Sequence, residues 1–455
     1  MKKITNEIFR AYDIRGVVDK DFDEEWVERL GRACGAYFLS RGLNRAVVGH
    51  DCRHSSPAYQ RALSEGLAST GVDVIQLDLV ATPVFYFAVK HLGLEAGVMI
   101  TASHNPPEYN GFKVWAGETT IHSEEVQKIY HAMRDGDFPQ GDGIINRHDI
   151  LPAYREDLLS RATLERPLKI VVDGGNGTSG DFTADILEAA GAEVVRLYCE
   201  PDGDFPNHHP DPVIEQYVED LKARVVEEGA DFGVGLDGDG DRIGAVDETG
   251  QLLYGDQLLA IYARDLLAQS PGETVVADVK CSHLLFSDVE AHGGKSVMCI
   301  TGHSIVKARM KELGAALGGE MSGHMFFSKG YYGFDDATYG ALLLASIMSR
   351  TQKPLSGMLA DWPETHNTPE IRVDCPESAK FEVVRRAQEF FRKDHEVIDM
   401  DGARVEFGDG WGLVRASNTQ GALVMRFEAE SAQRLAAIRE TMEKPIRQWV
   451  DELSD

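Results

Sequence analysis

The sequence predicts an α/β protein of three tandem, related mixed α/β domains plus a smaller C-terminal α+β domain, arranged around a central active-site cleft. Three observations carry this prediction. At 455 residues the chain is too long for one hydrophobic core. Three β-branched runs, Ala46-Val-Val-Gly-His-Asp51, Lys169-Ile-Val-Val-Asp-Gly174 and Thr274-Val-Val-Ala-Asp278, reach an aspartate and pass through a small polar turn into a helix-like stretch. Each has a later apolar or glycine-rich partner that ends in a loop rich in reactive side chains, at 97–104, 231–237 and 315–320. Unbroken apolar runs alternating with helical patterns mark strands buried in α/β layers. In open α/β sheets ligands meet the loops beyond strand C-termini, so three such loops can face one cleft.

The units are divided in order. The Gly/Asp/Pro-rich stretch 135–143 closes the first, Leu151-Pro152 opens the second, and Asp247-Glu-Thr-Gly250 is a turn near its end. Trp362-Pro-Glu-Thr-His-Asn-Thr-Pro369 has the composition of a linker. The expected domains are 1–150, 151–254, 255–365 and 366–455. In the last, 371–373 and 422–427 are expected as strands and 378–393 and 431–451 as helices.

Composition narrows the function classes. Hydrophobic residues make up 43% and charged residues 26%, an ordinary globular balance. The 46 Lys+Arg against 74 Asp+Glu leave a net charge of −28, a field that repels nucleic acid and anionic membrane. An anionic substrate therefore needs a local concentration of basic residues. The six cysteines are scattered without a C-x-x-C pair, as expected of reduced, mostly buried residues. The first 20 residues lack the apolar core of a signal peptide, and the apolar stretch 341–348 falls well short of the roughly 20 residues of a membrane helix. A soluble cytoplasmic protein is expected.

Five loops hold candidate chemistry. In Asp237-Gly-Asp-Gly-Asp-Arg242, three carboxylates alternate with glycines that tolerate positive φ, so Asp237, Asp239 and Asp241 can converge on one hard cation. These residues and Glu248 fit positions 1, 3, 5 and 12 of a calcium EF-hand. Arg242, however, stands where that loop needs glycine, and a strand precedes it instead of a helix. Thr101-Ala-Ser-His-Asn-Pro-Pro107, continuing to Lys113, sets Ser103 beside His104, either as a nucleophile or as a polar turn. Asp173-Gly-Gly-Asn-Gly-Thr-Ser-Gly180 contains G-x-G-x-x-G, with Glu200 where a ribose-binding acid would sit. It suits either a dinucleotide-binding dehydrogenase or a tight strand-to-helix turn. Gly319-Glu-Met-Ser-Gly-His324 offers groups for sugar hydroxyls, and Arg415-Ala-Ser-Asn-Thr419 offers a guanidinium and small donors for a phosphate. His208-His209, flanked by proline, is expected as loop structure.

Together with Arg10-Ala-Tyr-Asp-Ile-Arg-Gly16, four of these loops closely resemble, in order and over essentially the whole chain, the α-D-phosphohexomutase family in its bacterial phosphomannomutase/phosphoglucomutase branch. The resemblance implies reversible transfer between the 1- and 6-phosphates of a hexose, mannose and/or glucose, by way of a hexose 1,6-bisphosphate that also primes the enzyme. It implies that Ser103 carries the phosphoryl group and that one Mg²⁺ per chain is held by Ser103, Asp237, Asp239 and Asp241. Arg242, His104 and Lys113 would line the reacting site, with His104 or Lys113 moving the proton. Glu320 and Ser322 would bind sugar hydroxyls, with His303 and His324 nearby. Tyr12, Arg15 and Lys280 match further site positions, and Arg415, Ser417, Asn418 and Thr419 match the phosphate loop. Gln420-Gly421 replaces the family's Glu-Pro, and Met321 favours the glucose/mannose branch over the glucosamine mutases. Sugar phosphates are the expected partners, with no nucleic acid or membrane, and the chain is expected to be a monomer or weak homodimer. The other readings are a phosphoglucosamine mutase, a dehydrogenase, and a non-catalytic sugar-phosphate- or calcium-binding protein.

Overall fold

The computed structural model describes residues 2–417 and 421–454. The three β-branched runs of the sequence are the central strands of three sheets with one shared topology. In the first, Arg45–His50 lies between parallel Asp73–Leu79 and Ala96–Ile100, and Ala96–Ile100 pairs antiparallel with Tyr109–Ala116. In the second, Lys169–Asp173 lies between parallel Glu193–Leu197 and Phe232–Leu236, and the latter pairs antiparallel with Ile243–Asp247. In the third, Thr274–Asp278 lies between parallel Lys295–Cys299 and Leu317–Gly319, followed by antiparallel Met325–Phe327. Val47, Val48, Val171, Val172 and Val276 on these central strands are fully buried. Burial on both faces is why the runs are continuous and not alternating.

The partner segments of the sequence are the third strand of each unit. In every unit the connection from that strand to its antiparallel neighbour is one of the chemically loaded loops. The topology thus delivers three reactive loops from equivalent places. Two additions complete the first sheet. Ile14–Val17 pairs with Tyr109–Ala116 and brings Tyr12 and Arg15 to the first loop. Beyond 135–143 the chain returns to the sheet, with Ile145–Arg147 on Asp73–Leu79.

The largest apolar core is common to the first three units, running from Phe85 and Trp115 through Leu236 and Ile243 to Leu259 and Phe334. The fourth unit keeps its own core, in which the helices Lys380–Phe391 and Ala432–Ser454 cover a six-stranded sheet. The expected strands there are present as Ile371–Asp374 and Ala422–Ala429. Four more were not anticipated: His366–Asn367, Glu396–Ile398, Ala403–Glu406 and Gly410–Ala416. The first lies inside the expected linker, which is therefore partly an edge of the fourth sheet. No helix among the described residues is long and apolar enough to cross a membrane.

Candidate active site

The three equivalent loops and the fourth unit enclose a cleft of about 730 Å³. Ser103 sits at the start of the first loop with φ +52°, a conformation that a non-glycine residue adopts only when its surroundings impose it. Its Oγ donates to Asp237 Oδ2 at 2.7 Å and lies 3.1 Å from His104 Nδ1. The second loop meets it from the neighbouring unit. Asp237 Oδ1 accepts from the backbone N–H groups of Asp241 and Arg242, which folds the loop back on itself. Gly240 supplies the positive φ (+74°) that the sequence demanded. Gly238 has a different reason: a Cβ there would stand 2.4 Å from the Ser103 carbonyl oxygen, so only glycine lets the two loops touch.

Asp237, Asp239 and Asp241 are all fully buried, and their ligand atoms lie within 4.8 Å of one another. Lys113 Nζ reaches Asp239 Oδ2 at 2.7 Å and Asp241 Oδ2 at 2.5 Å. Thr82, which opens the helix Thr82–His91, adds its Oγ1 to Asp239 Oδ2 at 2.5 Å. Among the described residues, Oδ1 of Asp239 and Oδ1 of Asp241 have no hydrogen-bond partner. Buried carboxylate oxygens without partners are costly, and three carboxylates beside a serine oxygen form a hard-oxygen set. The residues present fit a divalent cation.

Electrostatics separate the candidates for proton transfer. Burial, and then the cations Arg242 and Arg15, hold His104 well below the usual imidazole range, so it is neutral and able to accept a proton. Burial pulls Lys113 down, but Asp239 and Asp241 outweigh it and keep the ammonium charged. Burial, with Asp239 and Asp241 as neighbours, raises Asp237. Asp239 is raised by burial but held low by Lys113.

The third loop closes the site from the opposite wall. Glu320 Oε1 accepts from Gly302 N at 2.6 Å, fixing the carboxylate at the cleft. His324 Nε2 accepts from Arg242 Nε at 3.0 Å, and its Nδ1 lies 2.8 Å from Asp335 Oδ2. A β-bridge between Arg242 and His324 ties the second loop to the third. His303 stacks edge-on against Tyr12 and Ser322 lines the same wall. Arg15 is braced by Asn105 at 2.7 Å and Asp13 at 2.5 Å. Lys280 is 3.3 Å from Glu370 of the fourth unit, whose carboxyl burial raises but Lys280 and Arg372 pull down to about 2. Arg415 and Ser417 also line the cleft, and Arg415 Nε donates to Asp401 Oδ2 at 3.0 Å. Asn418 and Thr419 lie outside the described residues.

The described residues that the family resemblance assigned to the site therefore lie at or directly beneath one cleft, whereas Glu200 and Glu248 do not line it. Sequence reasoning missed Arg10, Thr82, Asp335, Glu370 and Arg372. The glycine-rich 173–180 segment is a tight strand-to-helix turn: a Cβ on Gly177 would meet Gly238 and the Asp237 carbonyl, so protein backbone occupies the space a dinucleotide phosphate would need. His208 pairs with Asp173 at 3.1 Å and is loop structure, as expected.

A serine held against three carboxylates, in a cleft lined by arginines and lysines, is suited to phosphoryl transfer on a small anionic substrate. Comparison with known proteins gives the same class. The domains described as phosphoglucomutase/phosphomannomutase alpha/beta/alpha domains I, II and III match residues 6–140, 152–250 and 254–365, and the C-terminal domain matches 370–444. A Pseudomonas putida protein named phosphomannomutase/phosphoglucomutase is 42% identical over 99% of this chain and 97% of its own. A Neisseria gonorrhoeae phosphoglucomutase is 40% identical over 96% of both. The crystal structure of a phosphoglucomutase/phosphomannomutase family protein from Burkholderia thailandensis aligns with a TM-score of 0.92 at 38% identity over 98% of each chain. The chain belongs to the phosphoglucomutase/phosphomannomutase family.

Proposed function

We propose that this chain interconverts the 1- and 6-phosphates of glucose and mannose, with Ser103 as the phosphoryl carrier. The observation that carries the reading is the approach of Ser103 Oγ to Asp237 and His104 at the cleft floor. Ser103, Asp237, Asp239 and Asp241 would hold one Mg²⁺. When bound, it supplies charge neutralisation for the transferring phosphoryl group.

In the first half-reaction the free hydroxyl of the hexose phosphate attacks phosphoserine: the sugar O–P bond forms, the Ser103 Oγ–P bond breaks, the hydroxyl proton passes by way of His104 to the departing Ser103 Oγ, and a hexose 1,6-bisphosphate results. In the second, Ser103 Oγ attacks the other phosphate of that bisphosphate, its proton passes to the neutral His104, and His104 gives it to the departing sugar oxygen as the sugar O–P bond breaks. Lys113 balances the carboxylates Asp239 and Asp241, and His104, 3.1 Å from Ser103 Oγ, is the group proposed to move the proton. Arg242 faces the reacting phosphate, and Arg15 and Tyr12 line the adjacent wall. Arg415, Ser417, Asn418 and Thr419, with Lys280, hold the phosphate that is not transferred. Glu320 and Ser322 read the 3- and 4-hydroxyls, which glucose and mannose share, while His303 and His324 flank the ring.

Peptide mapping after incubation with glucose 1,6-bisphosphate should place a phosphate on Ser103. Coupled assays should detect turnover of both glucose 1-phosphate and mannose 1-phosphate. Near-normal turnover by Ser103→Ala would refute the mechanism.

A further inference from the structure

We propose that Arg53 is the positioning residue of the loop that carries Ser103, acting on phosphoryl transfer without touching substrate. This rests on the phosphoserine reading above.

Arg53 is 1% exposed, and all five of its guanidinium N–H donors are placed. Nη2 donates to the carbonyl oxygens of Ser103 (2.8 Å) and Asn105 (2.5 Å), and Nη1 to those of Pro106 (2.6 Å) and Tyr109 (2.9 Å). Nε donates to Asp51 Oδ2 at 3.2 Å. Four of the five donors thus end on the backbone of one loop. Asp51 is itself fixed, since its Oδ1 accepts from Arg53 N at 3.1 Å and Ser56 Oγ at 2.6 Å. Over the guanidinium lies the ring of Phe205, 5.1 Å away and contributed by the second unit.

Within the loop the backbone makes two short local turns, Asn105 N to Ala102 O and Tyr109 N to Pro106 O, closed at the base by Thr101 N to Gly111 O, each 3.0 Å, and Thr101 Oγ1 accepts from Ser103 N at 2.8 Å. The φ of +52° at Ser103 is one the isolated chain disfavours, and none of these bonds sets the direction of the Ser103 carbonyl. Arg53 does so by holding the Ser103 carbonyl and the next carbonyls of the loop in one planar fork. Lysine has three donors and no fork, so it cannot reproduce the pattern. The substrate-binding side chains Lys280, Glu320 and Arg415 sit on other units. Losing Arg53 should therefore move the reacting oxygen and leave substrate affinity largely intact.

The test separates these two quantities. Rapid-quench labelling measures phosphoryl transfer from glucose 1,6-bisphosphate to Ser103, and calorimetry measures the Kd of glucose 1-phosphate for the unphosphorylated enzyme. Both are run on wild type, Arg53→Lys and Asp51→Asn. A misplacement of about 1 Å costs on the order of a hundredfold, so Arg53→Lys should lose about that factor in transfer rate with Kd changed less than about threefold. Asp51→Asn, which leaves the guanidinium unbraced, should lose roughly tenfold on the same argument. If circular dichroism finds Arg53→Lys unfolded, Asp51→Asn decides by the same criteria. Wild-type transfer rates in the folded variants, or Kd weakening in parallel with rate, would overturn the proposal. No label on Ser103 in wild type would refute the phosphohexomutase reading itself, a result distinct from a labelled wild type with unaffected variants.

Discussion

Replacing Lys113 by Met probes the charge balance beneath Ser103. The ammonium lies 2.7 Å from Asp239 and 2.5 Å from Asp241, with all three side chains buried. At an effective dielectric near 20 each contact attracts by about 6 kcal/mol, and dehydrating the ammonium takes back several kcal/mol. Removing the cation alone strands the carboxylates, a change that usually costs about 3–5 kcal/mol. Methionine keeps the length and the unbranched stem, so the packing penalty is small. At about 2–4 °C per kcal/mol, the melting temperature in chelator should fall by roughly 6–20 °C. A divalent cation restores positive charge on the same oxygens, and a ligand at a thousandfold excess over Kd stabilises by about 4 kcal/mol. Thermal melts followed by circular dichroism, in chelator and in saturating Mg²⁺, should therefore show a large gap that magnesium at least halves. Melts within about 2 °C of each other in chelator would mean that less than about 1 kcal/mol rests on Lys113, and the account of the site would fail.

Other outcomes follow from the same geometry. Arg415 is buried at the cleft, and its Nη2 has no hydrogen-bond partner among the described residues. Arg415→Ala should raise KM by roughly 10- to 150-fold, the equivalent of one charge-assisted hydrogen bond, and lower kcat less; steady-state kinetics showing the reverse split would refute it. Asp336 caps the helix Ala337–Arg350 and accepts from Tyr154 and Tyr331. Burial, against those bonds, pushes it up to about 6 from 3.8. The folded state then holds more protons than the unfolded between about pH 4 and 6, so stability from this group falls as pH rises through that window, by about 3 kcal/mol in all. Denaturant titrations from pH 4 to 7 should show that wild type loses stability relative to Asp336→Asn across the window, and a constant difference would contradict the shift. Substrate addition should compact the molecule in small-angle scattering through movement of the fourth unit, and identical profiles in the free and bound states would exclude that movement.

What the sequence made legible was local, and what it hid was paired over long distances. The reactive loops are contiguous motifs, each following a β-branched or glycine-rich strand, so the loops of Ser103, Asp237 and Glu320 could be marked from neighbours, while the roles of Ser103 and Glu320 came only with the ordered set of motifs and the family it resembles. The repeat was visible because each β-branched run leads into an aspartate, at the end of the second and third central strands and one residue past the end of the first. Thr82, Asp335 and Arg53 were not found, because Thr82 acts on Asp239 and Asp335 on His324 and Lys307, across folds of the chain that no local pattern records. Arg53 did leave a trace: Asp51-x-Arg53 follows directly on the buried strand Arg45–His50, where two buried charges must satisfy each other. The unanticipated strands of the fourth unit are short, and Gly410–Ala416 was read only for the phosphate-binding residues at its end.

The way the units are joined differs in kind between the first three and the fourth. The first three share one apolar core, whose separation would expose large side chains to water. The fourth meets the third through ions and carbonyls set around a small apolar cluster, Val279 and Met298 against Trp411 and Leu413. Arg404 donates to the carbonyls of Val279 and Cys281 at 2.8 Å each and lies over the ring of Trp411 at 3.8 Å. Arg426 reaches Asp256 and the Lys280 carbonyl, and Glu428 accepts from Ser282, His283 and Trp411. Asp401 accepts from both Arg415 Nε and Thr301 N, linking the phosphate-facing arginine to the third unit at the cleft edge. Polar contacts of this kind exchange partners or water at small net cost, whereas parting an apolar core has no such substitute. The three loops that must meet at Ser103 are therefore set on a rigid frame. The element that grips the distant phosphate stands on the joint best able to give.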